Sequence, residues 1–116
     1  MYLKFFVFLF IGALWSSESF ASRMKCLVDT PAKDHWGYER CFSVGVARTA
    51  TAVFLIEGAP ANFKIIWSDS NCKQNSATCR IPIFQYQTLT VSAYVLDMEN
   101  MTFDMVHATA MYEGFD

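Results

Sequence analysis

Clustered positive charge is missing from this sequence, and so are the residue spacings that bind zinc. The 116 residues include 9 Lys or Arg against 11 Asp or Glu, for a net charge of −2. A protein that tracks nucleic-acid phosphates usually gathers its Lys and Arg residues on one face. There are two His residues and no C-x-x-C spacing. We therefore predict no nucleic-acid partner, no metal site and no cofactor.

Two further catalytic and binding patterns are also missing. The serines occur without the G-x-S-x-G turn that exposes a hydrolase nucleophile, so no catalytic residue is assigned. Asp97, Glu99, Asn100 and Asp104 group together, but without the regular ligand spacing of a calcium loop. We expect a solvated hairpin turn there.

Residues 1–21 have the three parts of a secretory signal peptide. Lys4 gives the positive start, residues 5–15 form an apolar run, and Ser19 and Ala21 are the small residues that a signal peptidase recognises. The apolar run is shorter than the roughly 20 residues needed to cross a bilayer. We predict cleavage after Ala21, no membrane segment afterwards, and a secreted or periplasmic product consisting of a single domain over residues 22–116.

All four cysteines, Cys26, Cys41, Cys72 and Cys79, follow the predicted cleavage point. An even number of cysteines in an exported chain is typical of disulfides rather than of a metal site. Four cysteines allow three pairings, and the sequence does not choose among them. Local loop closure favours Cys26 with Cys41 and Cys72 with Cys79.

Period-two alternation predicts a series of short strands after an irregular opening over residues 22–40. The predicted strands are residues 42–48, 51–57, 62–69, 80–84 and 87–97. In the last of these, the residues expected to face a core are Leu89, Val91, Ala93 and Val95. One face of the third carries Phe63, Ile65 and Trp67, and one face of the first carries Phe42, Val44 and Val46. Pro82 confines its strand to a sheet edge or a bulge, because proline cannot donate a ladder hydrogen bond.

The segment 101–112 fits two patterns. Strand alternation puts Val106, Ala108, Ala110 and Tyr112 on one face, whereas a helical stripe would join Met101, Met105, Ala108 and Tyr112 and end at Gly114. We favour a strand, because the neighbouring segments are short strands that another strand would complete. The sequence thus predicts an all-β antiparallel sandwich of about six to seven strands, held by two disulfides.

Three segments together resemble bacterial immunoglobulin-like and polycystic-kidney-disease-type domains. They are residues 53–60 (VFLIEGAP), residues 63–69 (FKIIWSD), which end in Trp and an acid, and residues 89–95 (LTVSAYV). The resemblance covers about half of the predicted mature chain and implies an immunoglobulin-like sandwich. It assigns no function, because one such fold hosts many functions.

Residues 34–40 (DHWGYER) hold the densest group of candidate contact residues. Trp, Tyr and Arg are the usual anchors of binding surfaces, so Trp36, Tyr38 and Arg40, together with Tyr86, are the predicted binding residues. The alternative is an amino-terminal segment pinned by Cys41, with its aromatic rings covering the core. The partner predicted from these residues is an unidentified protein or a cell-surface polymer.

The two histidines support a rival hypothesis. His107 with Glu39 and Arg40 could supply the acid, base and cation of a small ribonuclease-like effector, and His35 is the other candidate. The leading expectation is a non-enzymatic exported domain that recognises a partner. The alternative is a small secreted hydrolase or toxin that uses His35 or His107.

Overall fold

The computed structural model describes residues 21–31 and 35–114, and within them every regular element is a β-strand. Residues 1–20, which carry nearly all of the predicted signal peptide, lie outside the described residues. No helix in the described part is long and apolar enough to span a membrane. The strands are β1 (Arg23–Asp29), β2 (Gly37–Tyr38), β3 (Arg40–Gly45), β4 (Thr49–Glu57), β5 (Phe63–Trp67), β6 (Thr78–Phe84), β7 (Gln87–Asp97) and β8 (Thr102–Gly114).

Two four-stranded sheets make up the fold. Sheet 1 has the order β2-β1-β4-β6 and is antiparallel throughout. Sheet 2 has the order β3-β8-β7-β5, in which β3 runs parallel to β8 and the other pairs are antiparallel. The buried residues of both sheets form one hydrophobic core. The predicted all-β sandwich is therefore confirmed.

The predicted core faces of β5, β7 and β8 are largely confirmed. In β7, Val91, Ala93 and Val95 are buried and Leu89 is half-buried. In β5, Ile65 and Trp67 are buried, but Phe63, predicted on the same face, is 39% exposed. The segment 101–112 forms strand from Thr102 onwards rather than helix, and the four residues assigned to the strand face are all buried. Tyr112 is 1% exposed, and its hydroxyl donates to the carbonyl of Ala47 at 2.6 Å.

The amino-terminal part of the fold differs from the sequence prediction. The irregular opening expected over residues 22–40 contains β1, whose Met24, Cys26 and Val28 are buried in strand alternation. This strand and the two-residue β2 raise the strand number above the six to seven expected. Their charged and aromatic residues hide the alternation, because Arg23, Lys25 and Asp29 share one face with Leu27.

The face predicted for β3 points outward. Phe42 is 56% and Val46 80% exposed, whereas Cys41 and Ser43 are buried, and the strand ends at Gly45. The reason is the disulfide from Cys41 to Cys26, which joins β3 to β1 and hence sheet 2 to sheet 1. Because successive strand residues face opposite sides, an inward Cys41 turns Phe42 outward.

Cys26–Cys41 and Cys72–Cys79 are the two disulfides, and no cysteine of the described residues is free. This is the pairing that loop closure favours. Disulfides persist in oxidising compartments. The two bonds therefore indicate a chain that folds in an oxidising environment outside the cytoplasm.

The chain passes from one sheet to the other at Glu39. Its φ of 66° turns the backbone between β2 and β3. Its N–H donates to the carbonyl of Met24 in sheet 1 at 3.1 Å, and its own carbonyl accepts from the N–H of Thr109 in sheet 2 at 3.0 Å. A methyl group on Gly37 would overlap the carbonyl of Arg40, so this corner requires glycine at position 37.

Side chains cap the outer edge of β5, which is the last strand of sheet 2. The N–H of Ile65 donates to Oδ1 of Asn75 at 3.1 Å, and the N–H of Trp67 donates to Oε1 of Gln74 at 2.9 Å. The N–H of Asn75 returns a bond to the carbonyl of Ile65 at 2.9 Å. The loop after β5 therefore takes the place that a neighbouring strand would occupy.

The outer edge of β6, the last strand of sheet 1, is blocked in a similar way. The N–H of Thr78 donates to Oγ of Ser76 at 3.3 Å and the N–H of Phe84 to Oε1 of Gln87 at 2.8 Å. Pro82 lies between them and has no N–H to offer. The prediction that Pro82 marks an edge strand is confirmed.

Candidate functional site

Trp36 and Tyr38 lie on the outer face of sheet 1 within a group that we call the aromatic–cation cluster: Arg23, Lys25, Trp36, Tyr38 and Glu57. Since Met24 and Cys26 face the core, the alternation of β1 turns Arg23 and Lys25 outward. Strand register then brings Lys25 opposite Tyr38 and Arg23 opposite Glu57. Three neighbouring strands thus meet at one polar and aromatic surface.

Cations cover both aromatic rings of the cluster. The guanidinium carbon of Arg23 is 3.6 Å from the ring centroid of Tyr38, and the ammonium nitrogen of Lys25 is 4.9 Å from that of Trp36. Such contacts attract through the quadrupole of the ring. Even so, Trp36 remains 44% and Tyr38 45% exposed. The rings are held in position yet remain accessible, and they do not cover the core.

The carboxylate of Glu57 holds the cluster together. Its Oε2 is 2.6 Å from Nζ of Lys25, and its Oε1 accepts a hydrogen bond of 2.6 Å from the hydroxyl of Tyr38. The bond from Lys25, followed by that from Tyr38, lowers the pKa of Glu57 below its ordinary value. Donation to this carboxylate raises the pKa of the Tyr38 phenol. At neutral pH Tyr38 is protonated and Glu57 is charged, so the hydroxyl donates and the carboxylate accepts.

A cleft of about 120 Å³ lies beside the cluster, between β1 and β8; we call it the β8 cleft. It is lined by Ser22, Arg23, Met24, Tyr38, Glu39, Met105, Val106 and His107. Arg23 and Tyr38 belong both to the cluster and to the cleft. The cleft therefore adds an imidazole, a second carboxylate and a thioether to the same surface.

The backbone of β8 is open towards this cleft. Both the N–H and the carbonyl of Ser92 bond to Ser68, the residue after β5, so the opposed pair Ser92 and His107 is not a hydrogen-bonded pair of the β7–β8 ladder. The N–H and carbonyl of His107 therefore point away from β7. They point to the side on which β3 begins only at Arg40, opposite Thr109. Among the described residues, the first half of β8 thus has an unfilled strand position on that side.

The other predicted site residues lie elsewhere. Arg40 is exposed on β3 and faces the outer side of sheet 2, opposite Thr109. Tyr86 is 57% exposed in the β6–β7 turn, with a φ of 65°, and its N–H donates to the carbonyl of Tyr112. From His107 to Tyr112 the strand advances roughly 17 Å. The structure brings together Trp36 and Tyr38 but neither Arg40 nor Tyr86 with them.

The histidines and acidic residues are distributed as follows. His107 and Glu39 line the β8 cleft, whereas His35 is exposed beside Trp36, and Asp34 lies outside the described residues. In the β7–β8 turn, the carboxylate of Asp97 accepts from the side-chain amide of Asn100 at 2.9 Å, which lowers the pKa of Asp97. Among residues 21–31 and 35–114, no group of three His, Cys, Asp or Glu side chains is arranged to hold a metal ion.

The sequence analysis did not identify one apolar surface. On the outer face of sheet 2, Ile66, Tyr94, Phe103 and Met105 occupy neighbouring register positions and are between 45% and 65% exposed. The rings of Tyr94 and Phe103 meet edge to face at 5.6 Å. The alternation of β7 had left Tyr94 facing outward, but its neighbours on β5 and β8 follow from strand order, which was unknown.

Comparison with known proteins adds no relative. No protein-family model, curated protein or solved structure matches the chain. The assignment of a function therefore depends on the geometry of the aromatic–cation cluster and the β8 cleft.

Proposed function

We propose that the protein is a secreted or periplasmic, non-enzymatic domain that recognises a protein partner through the aromatic–cation cluster. The observation that carries the proposal is the half-exposure of Trp36 and Tyr38 on rings already fixed by Arg23 and Lys25. Aromatic and Arg side chains supply much of the energy at protein interfaces. Side chains ordered before binding lose less entropy when a partner arrives.

The unfilled strand position of β8 supports a protein rather than a polysaccharide partner. An extended peptide can add to an exposed strand edge, where backbone hydrogen bonds provide affinity and neighbouring side chains provide specificity. His107 turns its backbone groups towards this position, and Tyr38 and Arg23 line the same cleft. An immunoglobulin-like fold, which we also propose from the sequence resemblance, is compatible with such a role.

The test is capture of a partner by the immobilised mature chain from envelope extract or culture fluid. The partner is identified and its affinity measured against Trp36→Ala, Tyr38→Ala and the control Tyr94→Ala. We expect at least about tenfold weaker binding for the first two. Tyr94 is a similarly exposed aromatic residue on the other sheet, so its variant should bind normally. Normal binding by correctly folded Trp36 and Tyr38 variants would contradict the proposal.

A second candidate function is favoured by the shared position of His107 and Glu39. Both line the β8 cleft with Arg23, so an acid–base pair and a cation face one small space. Phosphodiester cleavage needs such a set. Arg40, which the sequence suggested as the cation, does not line the cleft. Cleavage of single-stranded RNA that is lost in His107→Ala and retained in His35→Ala would support this candidate; no cleavage by the wild-type protein would reject it.

A further inference from the structure

Ser22, the residue that follows the predicted cleavage point, is held tightly at the start of β1. It is 9% exposed, and its backbone nitrogen lies 3.1 Å from Oδ2 of Asp104 on β8. Its hydroxyl donates to the carbonyl of Gly58 at 3.2 Å. Ala21, by contrast, is exposed. Among the described residues, burial therefore begins at Ser22, directly after the predicted cleavage site.

Gly58 allows this close approach. Its φ is +78°, and a methyl group there would lie 3.0 Å from the carbonyl oxygen of Ala21. The backbone of residues 21–22 thus packs against the end of β4 while the nitrogen of Ser22 reaches across to β8. Since β4 belongs to sheet 1 and β8 to sheet 2, Ser22 contacts both sheets at the same end of the sandwich.

Cleavage changes the chemistry of the Ser22 nitrogen. In the uncleaved chain it is a neutral amide with a single N–H. Hydrolysis breaks the Ala21–Ser22 C–N bond; the hydroxyl of water goes to the carbonyl carbon of Ala21 and its proton to the nitrogen of Ser22. At neutral pH the released carboxyl group loses a proton and the amine gains one. The nitrogen beside Asp104 is then an ammonium with three donors and a positive charge.

We propose that removal of residues 1–21 converts the Ser22–Asp104 contact from a hydrogen bond donated by a neutral amide to the carboxylate into an ion pair that ties β1 to β8. The ammonium adds an opposite charge and two further donors, so it attracts the carboxylate more strongly than the single neutral N–H does. The position is specific, because cleavage one residue earlier or later would move the ammonium away from the nitrogen that contacts Asp104. Processing at Ala21 therefore completes the fold as well as releasing the chain. This proposal depends on the predicted cleavage and not on the proposed function.

The first test determines the amino terminus of the exported protein by intact mass and terminal sequencing. We expect Ser22 as the first residue. Any other first residue in the exported protein would overturn the proposal, whatever partner the domain binds.

The second test is a double-mutant cycle on the chain 22–116, which contains all eight strands and both disulfides. Free and Nα-acetylated forms are prepared both of the chain that has Asp104 and of the Asp104→Asn variant. Acetylation keeps an N–H on the Ser22 nitrogen and removes its charge. We expect acetylation to raise the unfolding constant about threefold to tenfold with Asp104 present and to have little effect in the Asp104→Asn variant.

Asp29→Asn, at the other end of β1, is the matched control and should show no coupling to acetylation. The coupling with Asp104 should also weaken in high salt, since it is electrostatic. An equal effect of acetylation in the protein with Asp104 and in the Asp104→Asn variant would show that the contact is no stronger as an ion pair and would overturn the proposal.

Discussion

The indole nitrogen of Trp67 donates a hydrogen bond of 2.8 Å to the carbonyl of Ser76. Trp67 is buried at the end of β5, and Ser76 lies in the loop closed by Cys72 and Cys79. The bond therefore joins the core of the sandwich to the loop that caps the edge of β5. It gives the predicted Trp strand a structural role that its resemblance to immunoglobulin-like domains did not specify.

Replacing Trp67 with Phe tests this bond. The variant keeps an aromatic ring, but the carbonyl of Ser76 loses its donor and a small cavity forms beside it. We therefore expect a loss of about 1 to 3 kcal/mol in the free energy of unfolding. Urea unfolding measures the change in the free energy of unfolding, and the control is Trp36→Phe, which alters a half-exposed ring. Equal stability of the two variants would contradict the assignment.

Removing the caps of β5 should expose a strand edge. In the double variant Gln74→Ala and Asn75→Gly, the N–H groups of Ile65 and Trp67 lose their side-chain acceptors, while glycine keeps the φ of 71° at position 75 easy to adopt. Bare strand edges pair with other chains. We expect concentration-dependent oligomers in light scattering, and none for the exposed loop variant Lys73→Ala; a monomeric double variant would reject the capping role.

Tyr112 supports a further prediction about stability. Its buried hydroxyl donates to the carbonyl of Ala47, beyond the end of β3, so Tyr112→Phe should cost about 1 kcal/mol. Tyr94→Phe removes a hydroxyl from an exposed ring and should change the free energy of unfolding by less. Thermal and urea unfolding of both variants measure the difference. A larger loss in the Tyr94 variant would argue against this hydrogen bond.

Acid should weaken the aromatic–cation cluster. The folded pKa of Glu57 lies below its unfolded value, so the stabilisation is complete above the unfolded value, about 4.3, and is lost as the pH falls through the folded pKa. Unfolding from about pH 6 to about pH 3 should therefore show a smaller acid-induced loss of stability in Glu57→Gln than in the wild type. Glu99→Gln, in the exposed β7–β8 turn, is the control and should match the wild type.

The buried face of a strand could be predicted where the hydrophobic pattern alone determines it. In β7 the apolar residues alternate without interruption, and hydrophobic burial alone identified the core side. In β8 they alternate from Val106 to Tyr112 but also fit a helical stripe, so the choice of strand depended on the neighbouring segments. In β3 the more apolar face, with Phe42, points to solvent, because Cys41 must reach Cys26 on the other sheet. Loop closure favoured this pairing across 15 residues, but β1 was not predicted, so the sequence did not show that Cys26 lies in the opposite sheet.

The candidate site was predictable in its residue types and not in its geometry. Trp36 and Tyr38 were identified from composition, but their neighbours Arg23 and Lys25 come from a strand that the sequence analysis missed. Glu57, which joins Lys25 to Tyr38, was seen only as the end of a strand. The β8 cleft depends on where β3 begins, and this follows from the turn at Glu39.

The last strand of the chain, β8, lies between β3 and β7 in sheet 2. Neither β3 nor the β5–β7 pair can join that sheet until β8 is available, and β8 ends at Gly114. The strand order thus leaves sheet 2, and the core that it shares with sheet 1, incomplete until the last described strand is in place.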